Sequence, residues 1–533
     1  MLATARKYRS AALCMTSAKF ALLESRARKK VNCGARFGSV RLIHQGCTNR
    51  SSTIHARITM TRRQAIDSAT KYFDSGGFLT DLARRVHMAT ESQDSGRVGE
   101  LRAYLVDEII PSIDRIGFES RIVENPVAGS APFLIATRIE DPSLPTILMY
   151  GHGDVVRGHD EQWNDQMSPW NITIEGDRWF GRGTADNKGQ HTINLAALEQ
   201  VIEARNRRLG FNATLLLEMG EETGSPGLRA VCEQNKDLLA ADVLIASDGP
   251  RARSHVPCVF LGSRGFVNFT LSVRLRSGAH HSGNWGGALG NAGTVLANAI
   301  SSLVDGRGRI LVDALLPTHI PASVRTALKN ISVGGGPNDP HVDADWGEPG
   351  LTTQERVYAW NALEVLAFTT GNPISPIGAI PPVAHAHCQL RYVVGTDCER
   401  IEEVLRHRLD ACGFDRVEVA IGERMGATRL PPEDPWVAWA LDSIERTTGK
   451  HPDLLPNLGG SLPNDVFSDV LGLPTIWIPH SYGACSQHAP NEHLLGSVAR
   501  EALQIMAGIF WDLGESASAV RDRRKEGALV VQA

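Results

Sequence analysis

The stretch Thr146-Ile147-Leu148-Met149-Tyr150-Gly151-His152-Gly153-Asp154 decides how this chain is read. Its first half is a short apolar run bounded by turn residues, the pattern of a strand buried on both faces. The run then breaks abruptly into glycine, histidine and aspartate. Two further stretches repeat the arrangement. Ala213–Leu217 ends at Glu218-Met219-Gly220-Glu221-Glu222, and Val243–Ala246 ends at Ser247-Asp248-Gly249. Between the first two lies a helical stretch, Thr192–Ala204, entered from Gly181-Arg182-Gly183-Thr184-Ala185-Asp186-Asn187-Lys188-Gly189. Strands alternating with helices predict an α/β fold: a mainly parallel, mixed sheet with helices on both faces. Polar groups just past the C-terminal ends of such strands are where open α/β sheets hold their sites.

Further from that centre, residues 62–117 read as helical, with Leu79, Leu82, Val86, Leu101, Leu105 and Ile109 near helical spacing. Ser120–Val123 and Phe133–Thr137 are further apolar runs. Beyond Gly262 the pattern changes. Phe266–Leu275 alternates like a half-buried strand, Asn291–Val304 is helical, and Ala384–Val393, Cys398–Cys412 and Val417–Ile421 read as strand, helix and strand. This β-α-β, β-α-β run predicts an inserted α+β, ferredoxin-like domain. Residues 305–380 read as looser chain, with Gly334-Gly335-Gly336-Pro337 as a flexible point. The chain then returns to the first domain through a helix at Pro435–Thr447, a strand at Thr475–Ile478 and a last helix at Leu495–Leu513. The expected division is 60–262 with 429–515 as a catalytic domain, 263–428 as a lid, and 516–533 as a charged, frayed tail.

The bulk numbers exclude several classes. A net charge of −4 over 533 residues gives no reason to expect nucleic acid or an acidic membrane surface as partner. No apolar run reaches the length of a membrane span. Nine scattered cysteines without a CxxC pair read as reduced thiols and a cytoplasmic setting. In the first sixty residues Glu24 is the sole acid among a dozen Lys and Arg. That segment, 1–59, reads either as an organelle transit peptide or as sequence ahead of a true start at Met60.

His152, Asp154, Asp186, Glu221, Glu222, Asp248 and His488 form the chemical set. Buried charged and imidazole groups are costly unless paired or bound to a cation. Two histidines and several carboxylates, with no cysteine, suit zinc, cobalt or manganese. Each residue also has an ordinary reading: a polar loop histidine, a solvated Glu-Glu turn, or a glycine-rich phosphate loop at Gly181–Gly189. The loop lacks the GxxxxGK[ST] spacing of a nucleotide site.

Taken in order and spacing, Tyr150–Val156, Gly181–Gly189, Glu218–Gly224, Ser247–Gly249 and His488-Ala489-Pro490-Asn491-Glu492-His493 resemble one family. It is the dinuclear zinc exopeptidases: bacterial glutamate carboxypeptidase, carnosinase-like dipeptidases, acetylornithine deacetylase and aminoacylase. The resemblance covers about residues 75–512 and is nearest the dipeptidase-like branch. It implies two divalent ions per subunit, with Asp186 bridging them. His152 and Asp248 would complete one site, Glu222 and His488 the other, and Glu221 would be the general base. Asp154 would fix the ring of His152. His281, in His281-Ser282-Gly283-Asn284-Trp285, would reach the partner subunit's site in a homodimer joined through the lid. His280 is its rival, and His480 is a rival to His488. Arg391 would hold the substrate carboxylate, Gly460 and Ser461 would contact the substrate backbone, and Asn291 would either line the substrate pocket or cap a helix. The implied activity is metal-dependent cleavage of a dipeptide or C-terminal residue with a free carboxylate. An N-acyl-amino-acid deacylase and a non-catalytic binding protein on the same fold are the alternatives. Arg157 departs from the proline often found there.

Overall fold

The computed structural model describes residues 61–164, 167–334 and 340–532. The basic segment 1–59 and the glycines at 335 and 336 lie outside the described residues, as do Cys14, Cys33 and Cys47.

Eight strands form the main sheet, in the order Glu119–Val123, Phe133–Arg138, Asn212–Glu218, Thr146–His152, Val243–Ala246, Thr475–Trp477, Cys258–Phe260 and Asp453–Leu455. The four central strands, from Asn212–Glu218 to Thr475–Trp477, are mutually parallel. The first two strands pair antiparallel at the edge. Side chains alternate between two cores, as a pleated strand buried on both faces requires. Ile147, Met149, Leu215, Leu217, Val243, Ile245 and Ile476 pack under helices Arg62–Asp74, Lys188–Ala204 and Pro435–Thr448. Leu148, Tyr150, Leu216, Leu244, Ala246 and Trp477 pack on the opposite face with Leu228, Val231 and Phe467. The apolar runs of the sequence are therefore continuous because both sheet faces are covered.

The second sheet is antiparallel, in the order Ala362–Thr370, Val383–Tyr392, Gly265–Arg274, Val417–Met425. Helices Ala292–Leu303 and Ile401–Ala411 supply the rest of a separate core, with Leu296, Leu303, Leu405 and Leu409 packed on Phe269, Leu271 and Leu390. With two helices on one face and this strand order, the segment is ferredoxin-like.

Two expectations change. The stretch 305–380 holds the edge strand Ala362–Thr370 and helices Ala322–Leu328 and Thr353–Tyr358. A bulge between Val365 and Ala367 breaks the period of two along that strand, and most of its side chains are exposed, so the alternation that marks a strand is lost. The last helix does not stop at Leu513 but runs from Gly496 to Gln532. Ala517 and Val520 are buried against the body of the protein, and Arg524 pairs with Asp434 at 2.8 Å, so the charged stretch stays helical.

Candidate metal centre

The parallel centre of the sheet brings three loops to one point. His152 closes its strand, opposite Glu218 in the register, and Asp248 follows Val243–Ala246 by two residues. Asp186 is delivered from the side by the Gly181–Gly189 loop. That loop turns at Gly183 with φ +86°, where a Cβ would meet Val155 and Lys188. Gly189 is needed because a Cβ there would run into the carbonyl of Thr184.

Two groups of potential ligands share Asp186. In the first, His152 Nε2 lies 3.0 Å from Asp186 Oδ1 and 3.6 Å from Asp248 Oδ2. In the second, His488 Nε2 lies 3.1 Å from Asp186 Oδ2 and 3.0 Å from Glu222 Oε2. Each trio has one ligand atom per residue within 4.8 Å of the others. Ligand atoms about 2.0–2.2 Å from a tetrahedral ion stand roughly 3.3–3.6 Å apart. The observed separations are close to that spacing. Asp248 Oδ2 is buried with no hydrogen-bond partner among the described residues, although it faces this centre. A buried carboxylate oxygen without a donor is costly, and a cation removes that cost.

The electrostatics point the same way. Burial, and then the nearby Asp186, push Glu222 up to about 7 and Asp248 up to about 6. Glu221 is held well above the usual carboxylate range, chiefly by burial and then by Asp248 and Glu222. Burial alone would lower His152, but the carboxylates of Asp154, Asp186 and Glu221 outweigh it and hold the ring well above its ordinary value. Asp186 is held low despite burial, because both histidines face it. Crowded carboxylates whose charge is this expensive form a centre suited to positive ions.

Asp154 organises the turn that carries Glu221 and Glu222. Its Oδ1 and Oδ2 accept the backbone N–H groups of Glu221 (3.2 Å) and Glu222 (3.1 Å). Its Oδ1 also lies 3.3 Å from His152 Nδ1, the ring nitrogen turned away from Asp186. This is the position of a carboxylate that fixes a ligand's ring and tautomer. Glu221 projects beside the centre, its Oε2 3.9 Å from His152 Nε2. It stands apart from both trios.

A cavity of about 580 Å³ opens over the centre, lined by Asp186, Glu221, Asp248 and His488 at one end. Arg391, Gly460 and Ser461 also line it, with Val357 and Tyr358 beside them. Arg391 donates from Nη1 to Ser461 Oγ (2.8 Å) and from Nε to Gln389 Oε1 (2.7 Å), so its remaining N–H groups are left for a ligand. Four sequence candidates lie elsewhere. Asn291 caps helix Ala292–Leu303 by accepting from Thr294 N, and it does not line this cavity; of its two readings the structure shows the cap. His281 is exposed, its Nδ1 accepting from Gly283 N at 3.1 Å, and neither it nor His280 lines the cavity of its own chain. His480 is buried beside Ser247 (3.0 Å) and belongs to neither ligand trio.

Sequence reasoning assigned no role to Glu492, although it lies in the quoted His488–His493 motif. It is buried, and its carboxylate gathers the backbone of the Asp186 loop. Tyr150 and Ser225 were also missed; both hydroxyls donate to the buried carboxyl of Glu218, which burial pushes up to about 7. The one available signal for both was a charged residue inside an otherwise apolar or motif-bearing stretch.

The cluster of potential metal ligands lies at the C-terminal ends of the parallel strands, where open α/β sheets hold their sites. Residues 148–512 match the peptidase family M20/M25/M40. The chain belongs to that family and is a peptidase. Its relatives include the cysteinylglycine-S-conjugate dipeptidase of Corynebacterium striatum, 26% identical over 371 residues, 67% of this chain and 77% of the relative. The beta-Ala-His dipeptidase of Mus musculus is 32% identical over 207 residues, 38% of this chain and 42% of that protein. Among solved structures, a dipeptidase of Saccharomyces cerevisiae superposes with TM-score 0.71 at 20% identity, covering 85% of this chain and 99% of its own. These relatives fit the dipeptidase-like branch. No described helix is long and apolar enough to cross a membrane.

Proposed function

We propose that the protein is a dinuclear metallodipeptidase, hydrolysing the amide bond of a small peptide that carries a free C-terminal carboxylate. The observation that carries this reading is the pair of ligand trios joined through Asp186 at the floor of a cavity that also holds Arg391. His152 and Asp248 would hold one ion, Glu222 and His488 the other, and Asp186 both. The donor set of imidazole and carboxylate favours zinc, with cobalt or manganese as working substitutes. When bound, two such ions acidify a water and polarise the scissile carbonyl.

The protein's own groups do the rest. Glu221 is close to the centre yet outside both trios, and a carboxylate in that place takes the proton of the attacking water and returns it to the leaving nitrogen. Its raised proton affinity suits this exchange. Arg391 anchors the substrate carboxylate through a planar, bidentate fork, and Gly460 and Ser461 lie alongside as contacts for the peptide backbone. We assign the metal-binding part to residues 60–262 and 429–515, and the lid to 263–428. His281, which does not line the cavity of its own chain, would serve the site of a second copy. The edge strand Ala362–Thr370 supports a homodimer: its Val365, Leu366 and Phe368 are 40%, 61% and 41% exposed on an unpaired edge.

The test is hydrolysis by metal-stripped protein refilled with zinc, cobalt or manganese, on dipeptides and N-acyl amino acids. Metal-dependent cleavage of free-carboxylate dipeptides supports the reading. Cleavage of acyl substrates alone favours the deacylase alternative, and no cleavage with any metal overturns the metallodipeptidase reading.

A further inference from the structure

Asp186 is the residue on which both ion sites depend, yet its side chain accounts for only half of how it is held. The other half is backbone. Oε1 of Glu492 accepts from the N–H groups of Gly183 (3.1 Å), Ala185 (2.9 Å) and Asp186 itself (3.1 Å). Oε2 accepts from Arg182 Nη1 at 2.8 Å, both side chains being 1% exposed. The backbone carbonyl of Glu492 accepts from Gly181 N at 3.0 Å. One residue thus takes donors from four peptide N–H groups and one side chain of the Gly181–Asp186 loop. Arg182 is in turn held by the carbonyl of Arg157 (3.0 Å) and lies over the ring of Trp163.

Glu492 stands four residues after His488. Its side chain therefore ties the loop that presents Asp186 to the segment that presents His488, two pieces of chain some 300 residues apart. It belongs to neither ligand trio. Three N–H groups converging on one buried oxygen make a rigid turn, because each donor would otherwise be unsatisfied in a dry interior. The arrangement is costly to distort and fixes where the Asp186 carboxylate points.

We propose that Glu492 is a positioning residue for the dinuclear centre: it sets the Asp186 loop and the His488 segment at the mutual distance that lets Asp186 bridge two ions. This rests on the dinuclear reading above. In Glu492→Gln the amide oxygen can still take the loop N–H groups, but the amide nitrogen then faces Arg182, donor against donor. In Glu492→Asp the carboxylate is one methylene short of the loop.

The experiment is a cobalt(II) titration of the metal-stripped full chain, followed by visible absorption, for wild type, Glu492→Gln and Glu492→Asp, with kcat and KM measured on the loaded enzymes. Wild type should take two equivalents. Both variants should bind cobalt at least about tenfold more weakly and with a changed absorption band, and kcat should fall more than KM. Should Glu492→Gln fail to fold, Glu492→Asp carries the same readouts. A wild type that takes two equivalents while the folded variants match its affinity and absorption overturns this inference alone. A wild type that takes fewer than two overturns the dinuclear reading and the inference with it.

Discussion

Replacing Arg391 with methionine should remove the recognition of the substrate carboxylate while leaving the metal centre intact. Of the five N–H groups of a guanidinium, Arg391 spends one on Gln389 and one on Ser461, leaving three, enough for a two-point contact with a carboxylate. A hydrogen bond to a charged group contributes about 1.5–3 kcal/mol. Arg391 is only partly buried, so solvent screening argues for the lower end, about 3 kcal/mol for the pair. That is a loss of roughly 150-fold in kcat/KM. The assay compares a dipeptide with its C-terminal amide on both proteins. Wild type should prefer the free acid by about two orders of magnitude, and Arg391→Met should treat acid and amide nearly alike. The reasoning is refuted if the variant keeps the wild-type preference for the acid, or if its kcat/KM on the acid stays within about threefold of wild type.

Glu221→Ala should bind both ions with near wild-type stoichiometry and lose about a hundred-fold or more of its turnover; full activity would remove Glu221 from the chemistry. His281→Ala and Arg391→Ala, each nearly inactive alone, should regain part of the wild-type rate when mixed and allowed to exchange subunits. No recovery in verified heterodimers argues against a shared site. Glu218 gives a pH prediction. Burial raises its carboxyl from an ordinary value near 4.5 to about 7 in the folded protein, so the unfolded chain releases this proton first. Its contribution therefore lowers folding stability as pH rises from about 4.5 to about 7, by about 3 kcal/mol in all. Glu218→Gln should flatten the stability–pH curve of the metal-free protein over that window relative to wild type. Parallel curves from urea unfolding at pH 5 and 8 would contradict the assignment.

Much of this centre was legible because its residues follow apolar strands directly. His152 and Asp248 sit within two residues of runs whose burial the sequence shows, and Glu221 and Glu222 follow Ala213–Leu217 by a short turn. The choice between His480 and His488 was harder. Both follow the strand Thr475–Trp477, and only the path of the chain puts one ring against Ser247 and the other against Asp186 and Glu222. The contacts of Glu492 were hidden for a different reason: its place in a motif marked it, but its partners are backbone N–H groups, which no residue type in the sequence singles out. Strand Ala362–Thr370 was lost to a bulge and to its place at an open edge. The helix beyond Leu513 was lost because a charged stretch with few apolar positions looks frayed until Ala517 and Val520 find a surface to bury against.

The most direct test of the two-ion account is to add zinc stepwise to metal-stripped protein and follow the rate on a free-carboxylate dipeptide. The account predicts negligible hydrolysis in chelator and a rate that reaches its plateau at two zinc ions per chain. Full activity in chelator, or a plateau at a single equivalent, would contradict it.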